Sequence, residues 1–506
     1  LNGTAQTLPM PVAPTMPDVI APAPVATPAA PVKASAHSSW FKKETKKVSL
    51  GTERDQHLAQ LTQRFVDKTG GSKRNAQQYR AVLADNRASA GFRLSTKEML
   101  YPLVGERSQG SRIWDVDGNE YIDFTMGFGA NLLGHAPDCV QQAVADQLAR
   151  GMQIGPQSAL AGEVATLISE LTGQQRVAFC NSGSEAVMSA VRLARAVTGK
   201  NKVALFSGSY HGVFDGILGR QQGGETPERA TPIAAGTPPS LVDDLLVLDY
   251  GSEESLALIA RYAAELAVVI VEPVQSRYPD HQPREYLHTL RELTTTHNIA
   301  LMFDEVITGF RLAAGGAQAY YGVQADIASY GKIVGGGMPI GVIAGSARFM
   351  DSIDGGFWQY GDDSWPQAEL IFFAGTFSKH PLTMAASKAV LEYIKAHPAL
   401  YDDINQKTAR LTMSLNTWFS ATGTPIEIVS AGSLFRFKFN GNYDILFHHL
   451  MLRGIFIWEG RNCFVSVAHT DEDIDRFIAA VKESVNAMRV DGFFGQAGLR
   501  PDTRYA

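Results

Sequence analysis

Cysteine and long apolar runs are both scarce in this sequence. Its 506 residues include only 3 cysteines, Cys139, Cys180 and Cys463, without the paired spacing of a disulfide framework or a zinc site. No stretch approaches the roughly 18 consecutive apolar residues of a membrane span, and the first residues lack the charged and apolar regions of a signal peptide. We therefore expect a protein of the reducing cytoplasm that neither crosses a membrane nor holds a metal.

A large excess of one charge is also absent. The 45 Lys and Arg against 51 Asp and Glu give a formal charge of −6, which does not indicate a nucleic-acid partner. Residues 41–100 differ locally, with 13 Lys or Arg against 6 Asp or Glu. A solvated helical face explains that segment most simply, and docking of an acidic partner is the alternative.

Composition and periodicity divide the chain into six stretches. Residues 1–40 contain 8 Pro and 9 Ala and are typical of an extended linker, so the chain, which begins at Leu1, is expected to be a segment of a longer polypeptide. Residues 52–92 show helical pieces interrupted at Gly70 and Gly71. The predicted stretches are a linker at 1–40, a helical N-terminal segment at 41–111, the N-terminal part of a small domain at 112–150, a large domain at 151–385, the C-terminal small domain at 386–495 and a tail at 496–506.

Short apolar runs alternate with helical stretches between residues 151 and 385. The runs RVAFC, KVALF, AVVIV, ALMFD and IASYG each precede a polar or glycine-bearing loop, which is typical of a mostly parallel α/β sheet. The stretch SRIWDVDGNEYIDF predicts two strands around the turn Asp117-Gly118. Because ligands of open parallel sheets gather at the carboxyl ends of the strands, the residues after each run are the candidates for a site.

Lys332 is the one charged residue in IASYGKIVGGGMPIGVIAG. A buried ammonium is costly, so a lysine in such surroundings has a depressed pKa, is paired or is used covalently, unless its amine reaches water. Asp304, at the end of ALMFD and 28 residues earlier, needs a cationic partner or several donors to stay ionised. The neighbours of both residues decide between these possibilities.

The other strand ends carry groups that suit a flat, phosphorylated ligand. Ser182, Gly183 and Ser184 precede a predicted helix, where free amides and the helix dipole favour an anion, although simple helix capping would use the same residues. Tyr210 follows KVALF and either covers a flat ligand or belongs to the core. A phosphate cradle, an aromatic cover, a buried carboxylate and a lysine together match pyridoxal phosphate, whose aldehyde condenses with a lysine amine.

Six motifs in order resemble one family. The motifs NSGSEAVMSAVRLARAVTG, SYHGVFDG, VEPV, FDEVITGFR, GKIVGGGMPIG and AGTFSKHPLTMAA are together similar to the class III aminotransferases, nearest to the glutamate-1-semialdehyde aminomutase branch, over about residues 95–490. The resemblance implies a fold type I, PLP-dependent transferase of the α/β class. Its large domain would hold a mostly parallel sheet, its smaller α+β domain would come from both chain ends, and it would form a homodimer.

The same resemblance implies a role for each matching residue. Lys332 would form the Schiff base and Asp304 would contact the pyridine nitrogen. The further cofactor contacts implied are Ser182, Gly183 and Ser184 at the phosphate, Tyr210 and Val306 on the two ring faces, Glu272 after AVVIV, and Thr376 at the phosphate of the neighbouring subunit.

The substrate side departs from the aminomutase pattern. That pattern has a glycine and an asparagine after VEPV, whereas this chain reads Gln275-Ser276-Arg277. Gln275 and Arg277 are therefore candidates for contacting the substrate, although a structural role for each is equally good. Arg436 and Arg461 are candidates for a donor carboxylate, with surface or core-edge roles as the alternative.

Two longer stretches indicate a particular acceptor. The segments NRASAGFRLSTKEMLYPLVGERSQGSRIWDVDGNEYIDFTMGFGANLLGH and VEPVQSRYPDHQPREYLHTLREL resemble aminotransferase domains of hybrid polyketide synthases and nonribosomal peptide synthetases. The resemblance implies transfer of an amino group from glutamate or glutamine to a β-ketoacyl thioester on an acyl carrier protein. The alternatives are a free-standing aminotransferase or aminomutase acting on a small aldehyde or ketone, and a non-catalytic PLP-binding scaffold.

Overall fold

The computed structural model describes residues 50–221, 229–441 and 443–494. The predicted linker at 1–40 and the tail at 496–506 lie outside these residues. The described residues all belong to one compact unit. The finer division into domains at 112–150, 151–385 and 386–495 stays a prediction.

The described residues form sixteen strands and fourteen α-helices. The strands are β1 (Gly105–Gln109), β2 (Arg112–Asp115), β3 (Glu120–Asp123), β4 (Arg176–Cys180), β5 (Lys202–Phe206), β6 (Gly219–Gln221), β7 (Ala230–Pro232), β8 (Leu245–Leu248), β9 (Leu266–Val271), β10 (Ala300–Asp304), β11 (Ile327–Gly331), β12 (Gly341–Gly345), β13 (Ile426–Ala431), β14 (Leu434–Phe439), β15 (Ile455–Phe456) and β16 (Cys463–Phe464). The helices are α1 (Thr52–Lys68), α2 (Gly70–Tyr79), α3 (Met126–Gly129), α4 (Asp138–Arg150), α5 (Leu160–Thr172), α6 (Gly183–Thr198), α7 (Glu253–Arg261), α8 (Arg284–Thr296), α9 (Gly316–Tyr321), α10 (Ala347–Met350), α11 (Pro381–Ala396), α12 (Leu400–Ala421), α13 (Ile445–Leu452) and α14 (Asp471–Val490). No helix among the described residues is long and apolar enough to cross a membrane.

A seven-stranded sheet with the order β4-β12-β11-β10-β9-β5-β8 forms the centre of the structure. The five apolar runs of the sequence are confirmed as its strands β4, β5, β9, β10 and β11. Strand β12 is antiparallel to both of its neighbours, and the other adjacent pairs are parallel. Because two antiparallel pairings restore the original direction, β4 points the same way as β11. The carboxyl ends of β4, β5, β9, β10 and β11 therefore meet at one edge.

Helix α6 lies directly after β4 and has clear signals at both ends. The Ser182 hydroxyl accepts a hydrogen bond from the Glu185 amide at 3.3 Å, which caps the start. Gly199, with φ of +67°, ends the helix in the left-handed conformation that glycine adopts at little cost. The buried face of α6 packs on the sheet, so the start of the helix is fixed at the edge where the strands end.

The N-terminal and C-terminal parts of the described chain share one small sheet. Strand β15 pairs in parallel with β3, with Ile455 opposite Ile122, and β1, β2 and β3 complete that sheet. The Asp473 carboxylate, in the first turn of α14, accepts hydrogen bonds from Ser111 at 2.7 Å and from Arg112 at 2.6 Å. These contacts hold the two parts of the chain together beside the central sheet.

Two expectations about the N-terminal part were wrong in detail. The helical break was predicted at Gly70 and Gly71, but α1 ends at Lys68 and both glycines lie inside α2. Thr69 makes the break with φ of −119°, and the Asp117 carboxylate then caps α2 by accepting from the Gly71 amide at 2.7 Å. Strand β1 was missed because all five of its residues are exposed and carry no apolar alternation.

Glu305 fixes the loop that follows β10. Its carboxylate is fully buried and accepts hydrogen bonds from the Ala317 amide at 2.6 Å, the Gln318 amide at 3.1 Å and the Thr308 hydroxyl at 3.0 Å. Burial raises the pKa of Glu305 to about 7, and these donors oppose that shift. The contacts hold the start of α9 against the end of β10, next to Asp304.

We expect Glu305→Gln to lower the free energy of unfolding by about 1–3 kcal/mol, because one carboxylate oxygen becomes an amino group that faces an N–H donor. Urea unfolding followed by circular dichroism at pH 8 measures this change. The matched control is Glu292→Gln on the exposed face of α8, for which we expect a change within about 0.5 kcal/mol. Equal losses in the two variants would contradict the role of Glu305.

Candidate active site

The strand ends of the central sheet bring most of the predicted site residues to one edge. Lys332 directly follows β11 and Asp304 ends β10. The loops after three other strands supply the remaining groups, which are Glu272 after β9, Tyr210 and His211 after β5, and Ser182, Gly183 and Ser184 after β4. The structure therefore gathers groups that are up to 150 residues apart in the sequence, from Ser182 to Lys332.

Asp304 is buried and surrounded by donors. One carboxylate oxygen lies 2.7 Å from His211 Nδ1, and the other accepts from the Ser329 hydroxyl at 3.1 Å and the Val306 amide at 3.2 Å. Three donors compensate for the lost hydration of a carboxylate that is 4% exposed. Asp304 therefore has its hydrogen-bonding needs met at the edge where a ligand would bind.

His211 was not assigned a role from the sequence, although it follows Tyr210 directly. Its ring is 5% exposed and its Nδ1 bonds Asp304. Its Nε2 is buried and has no hydrogen-bond partner among the described residues. A buried, unpaired ring nitrogen in such a site is a group for which a ligand or a water completes the hydrogen bonding.

Lys332 occupies a strained turn at the end of β11. Its φ is +48°, a left-handed conformation that costs a residue with a side chain about 1–3 kcal/mol. Burial lowers the pKa of Lys332; Asp304 and Glu272 oppose this, and Arg311 adds to it. No hydrogen bond of its amine is found within the described part of the chain. A lysine with a depressed pKa and a free amine can act as a nucleophile.

The start of α6 forms a cradle with the loop after β5. The first amides of a helix have no acceptor within that helix, so those of Gly183 and Ser184 are available to an anion. Gly212, with φ of +98°, lies so close that an added Cβ would be 2.5 Å from the Ser184 hydroxyl oxygen. The Val306 side chain packs as closely on Gly183, where a Cβ would be 2.9 Å from Val306 Cγ2. These contacts place the Gly183 and Ser184 amides beside Val306, two residues after Asp304.

Tyr210 and Glu272 lie in the loops after β5 and β9, at the same edge of the sheet. The Tyr210 amide donates to the Glu272 carboxylate at 3.3 Å, and the other oxygen of that carboxylate accepts from the Ser276 amide at 2.9 Å. Tyr210 is 51% exposed, so one face of its ring is free to cover a flat ligand. Burial raises the pKa of Glu272, and His211 opposes that shift. The carboxyl group lies near His211, Asp304 and Lys332.

The tentative substrate residues have different surroundings. Gln275 is buried, and its amide nitrogen donates to the Ser207 carbonyl at 2.9 Å, so this group already holds the loop after β5. Arg277 is half-buried, and burial lowers its pKa while Glu272 opposes the shift and Arg461 adds to it. Arg277 and the exposed Arg461 therefore place two positive charges near Tyr210.

The two remaining candidates lie further from the strand ends. Arg436 donates to the Asn462 side-chain oxygen at 3.0 Å. Thr376 is exposed in the segment after α10, and the preceding Gly375 approaches the Asn181 side chain, which would be 3.4 Å from an added Cβ. The roles expected for these two residues, like those of every other residue of the candidate site, stay predictions.

These groups fit a flat, phosphorylated aldehyde. The cradle at Gly183, Ser184 and Gly212 suits a phosphate, Asp304 suits a protonated ring nitrogen, and the Lys332 amine suits the aldehyde. The unpaired Nε2 of His211 shows that the hydrogen bonding of the site is incomplete without a further group. The geometry is thus consistent with the cofactor expected from the sequence.

Comparisons with known proteins agree with this site. The family model described as "Aminotransferase class-III" matches residues 94–485. The glutamate-1-semialdehyde 2,1-aminomutase of Alkaliphilus oremlandii (strain OhILAs) is 37% identical over 404 residues, which cover 77% of this chain and 92% of that protein.

Two solved structures extend the comparison. A transaminase with PLP bound has a TM-score of 0.75 and 27% identity, covering 84% of this chain and 99% of its own. A β-phenylalanine aminotransferase from Variovorax paradoxus has a TM-score of 0.72 and 29% identity, covering 86% of this chain and 98% of its own. This chain therefore belongs to the class III aminotransferases, PLP-dependent enzymes with the type I fold.

Proposed function

We propose that this chain transfers an amino group from glutamate or glutamine to a β-ketoacyl thioester on an acyl carrier protein, giving a β-amino acyl chain. The amino-transfer chemistry of this proposal rests on one observation. The Lys332 amine makes no hydrogen bond within the described residues and lies near the Asp304 carboxylate, which three donors hold. When bound, pyridoxal phosphate supplies an aldehyde for attachment and a ring that accepts electrons.

Each residue of the edge has one task in this proposal. Lys332 holds the cofactor, and after its release it moves the proton of the substrate carbon that loses or gains the amino group. Asp304 keeps a proton on the ring nitrogen because its negative charge lies in a buried, donor-lined position. The Gly183 and Ser184 amides bind the phosphate.

The remaining cofactor contacts complete the proposal. Tyr210 and Val306 cover the two faces of the ring, and Glu272 lies beside it, while Ser182 caps the helix whose amides bind the phosphate. Thr376, which is exposed in one protomer, reaches the phosphate of a second protomer in a homodimer. The three free cysteines of the described residues support a reducing compartment, the cytoplasm.

Three observations support a β-keto acceptor. The β-phenylalanine aminotransferase is named for a β-amino acid and shares the fold at 29% identity. The segment Gln275-Ser276-Arg277 differs from the aminomutase pattern, and Arg277 and Arg461 place two positive charges beside Tyr210. The Pro and Ala content of residues 1–40 suits a tether between domains.

A second candidate is a free-standing aminotransferase or aminomutase that acts on a small aldehyde or ketone. The curated relatives favour it, because eight of them, at 35–37% identity, are glutamate-1-semialdehyde 2,1-aminomutases. None of these names mentions a carrier protein or an assembly line. On the comparisons alone the second candidate is therefore better supported than the carrier-bound acceptor.

We expect borohydride reduction of the cofactor-loaded chain to leave a pyridoxyl group on the peptide that contains Lys332. Lys332→Ala should lose the adduct, whereas Lys395→Ala, at an exposed ion pair with Glu170, should keep it. Peptide mass spectrometry locates the adduct, and an adduct on another lysine would refute the assignment. An absorbance spectrum that does not change when glutamate or glutamine is added would favour a non-catalytic scaffold.

We expect His211→Phe to weaken cofactor binding about 5- to 100-fold, because Asp304 loses a buried hydrogen bond worth about 1–3 kcal/mol. His211→Asn is the matched control, since its amide nitrogen can donate from nearly the same place as Nδ1. Fluorescence titration of the cofactor-free protein gives both dissociation constants. Equal affinities of the Phe variant and the parent would show that the His211–Asp304 bond does not support the cofactor.

The proposed acceptor is tested by comparing the rates at which a carrier-bound chain and a small thioester are aminated. We expect a β-ketoacyl carrier protein to be aminated at least about tenfold faster than the same chain on a small thioester, because the carrier adds binding energy away from the reacting carbon. Intact-mass analysis after incubation with pyridoxal phosphate and glutamate follows both products. Equal rates, or faster turnover of glutamate-1-semialdehyde, would decide for the second candidate.

A further inference from the structure

Arg311 is a buried cation without an anionic partner. Its side chain is 1% exposed, the largest of the fully buried side chains. It donates from Nε to the Ile307 carbonyl at 3.3 Å, from Nη1 to the Ser433 hydroxyl at 3.1 Å and from Nη2 to the Gly129 carbonyl. Within the described residues no carboxylate lies at salt-bridge distance. A charge buried against neutral acceptors is costly, so its presence calls for a function.

The Gly129 carbonyl belongs to an unusual backbone segment. Met126, Gly127, Phe128 and Gly129 have φ values of +45°, +60°, +56° and +90°, so four consecutive residues are left-handed. Two of them carry side chains, and each such residue costs about 1–3 kcal/mol. Strained segments persist only where their surroundings hold them, and the guanidinium bond to Gly129 is one such restraint.

This left-handed turn, residues 126–129, lies against the turn that begins at Lys332. An added Cβ on Gly129 would meet Phe464 at 2.8 Å and Arg311 Nη2 at 3.0 Å. Asn131, just after the turn, approaches both Gly127 and Gly337. The Arg311 guanidinium, which lies over the Phe464 ring at 4.5 Å, therefore supports the backbone that packs on the turn 332–335.

The same guanidinium holds the loop that carries the other catalytic group. Its Nε bonds Ile307, three residues after Asp304, and its Nη1 bonds Ser433 between β13 and β14. One side chain thus joins the left-handed turn, the Asp304 loop and the β13–β14 turn. Only a planar fork with donors in several directions can span three such acceptors.

We propose that Arg311 is a positioning residue that holds the left-handed turn and the Asp304 loop against the turn that begins at Lys332, and that its unneutralised positive charge adds to burial in making the Lys332 amine nucleophilic. The inference rests on the proposed role of Lys332. It adds a second contribution, from Arg311, to the burial that lowers the pKa of Lys332.

The charges around Lys332 agree with this role. Burial lowers the pKa of Lys332 most, Asp304 and Glu272 raise it, and Arg311 lowers it further, while His211 bonds the Asp304 carboxylate. Burial lowers the pKa of Arg311 to about 9, so the guanidinium remains charged near pH 7. At that pH a fixed positive charge in a region of low dielectric constant disfavours a second positive charge on Lys332.

The test measures how fast the cofactor-free protein attaches pyridoxal phosphate at each pH, because attachment requires the uncharged amine. We expect the pH of half-maximal rate to rise by about one unit in Arg311→Gln, which keeps two donors without the charge. Ser433→Asp, which gives the guanidinium a carboxylate partner, should raise it in the same direction. Arg410→Gln, at an exposed ion pair with Asp471 and Asp475, should leave it unchanged.

Arg311→Lys separates position from charge. It keeps a positive charge but loses the fork, so amide hydrogen exchange at residues 126–131 should become about tenfold faster, with a much smaller change in the half-maximal pH. If Arg311→Gln does not fold, Ser433→Asp still tests the charge. The proposal would be overturned if Arg311→Gln and Ser433→Asp attached the cofactor with the same half-maximal pH as the parent and Arg311→Lys showed the same amide exchange at residues 126–131 as the parent. Failure of the parent to attach the cofactor at Lys332 would refute the proposed function instead.

Discussion

A carboxylate removed from water must be surrounded by donors, and the site of this protein is arranged around that requirement. Asp304 ends a central strand, where hydration is lost, and the side chains of His211 and Ser329 with the amide of Val306 replace the missing water. Two of these donors come from strands adjacent to β10 or one strand further away. The order of strands in the sheet therefore decides whether the donors that Asp304 needs lie within reach.

The next residue, Glu305, uses its buried carboxylate in a different way. Glu305 points away from Asp304, because successive residues of an extended chain face opposite sides, and it holds α9 with two amides and a hydroxyl. The Asp304 carboxyl group lies at the strand-end edge with the other candidate site residues, and the Glu305 carboxyl group fixes the loop. Of these two adjacent acidic residues, Asp304 therefore belongs to the candidate site and Glu305 stabilises the loop after β10.

The sequence predicted the strands of the sheet and the position of the residues that follow them, because both depend on local patterns. Each buried strand reads as an apolar run, and the residues after it lie at the same edge by the geometry of parallel strands. The sequence could not show that the Gln275 amide would be taken by the Ser207 carbonyl, nor that Arg311 would lie buried without a carboxylate. Such facts depend on contacts between segments more than 60 residues apart, and no periodicity records them.

The antiparallel strand β12 has a consequence for the lysine. Gly331 and Gly341 are paired across β11 and β12, so residues 332–340 form a short excursion whose two ends are clamped side by side. The backbone of Lys332 is therefore held by the sheet whether or not a cofactor is covalently bound to its side chain. In the proposed role, the side chain of Lys332 can therefore be attached and released while the sheet keeps its Cα in place.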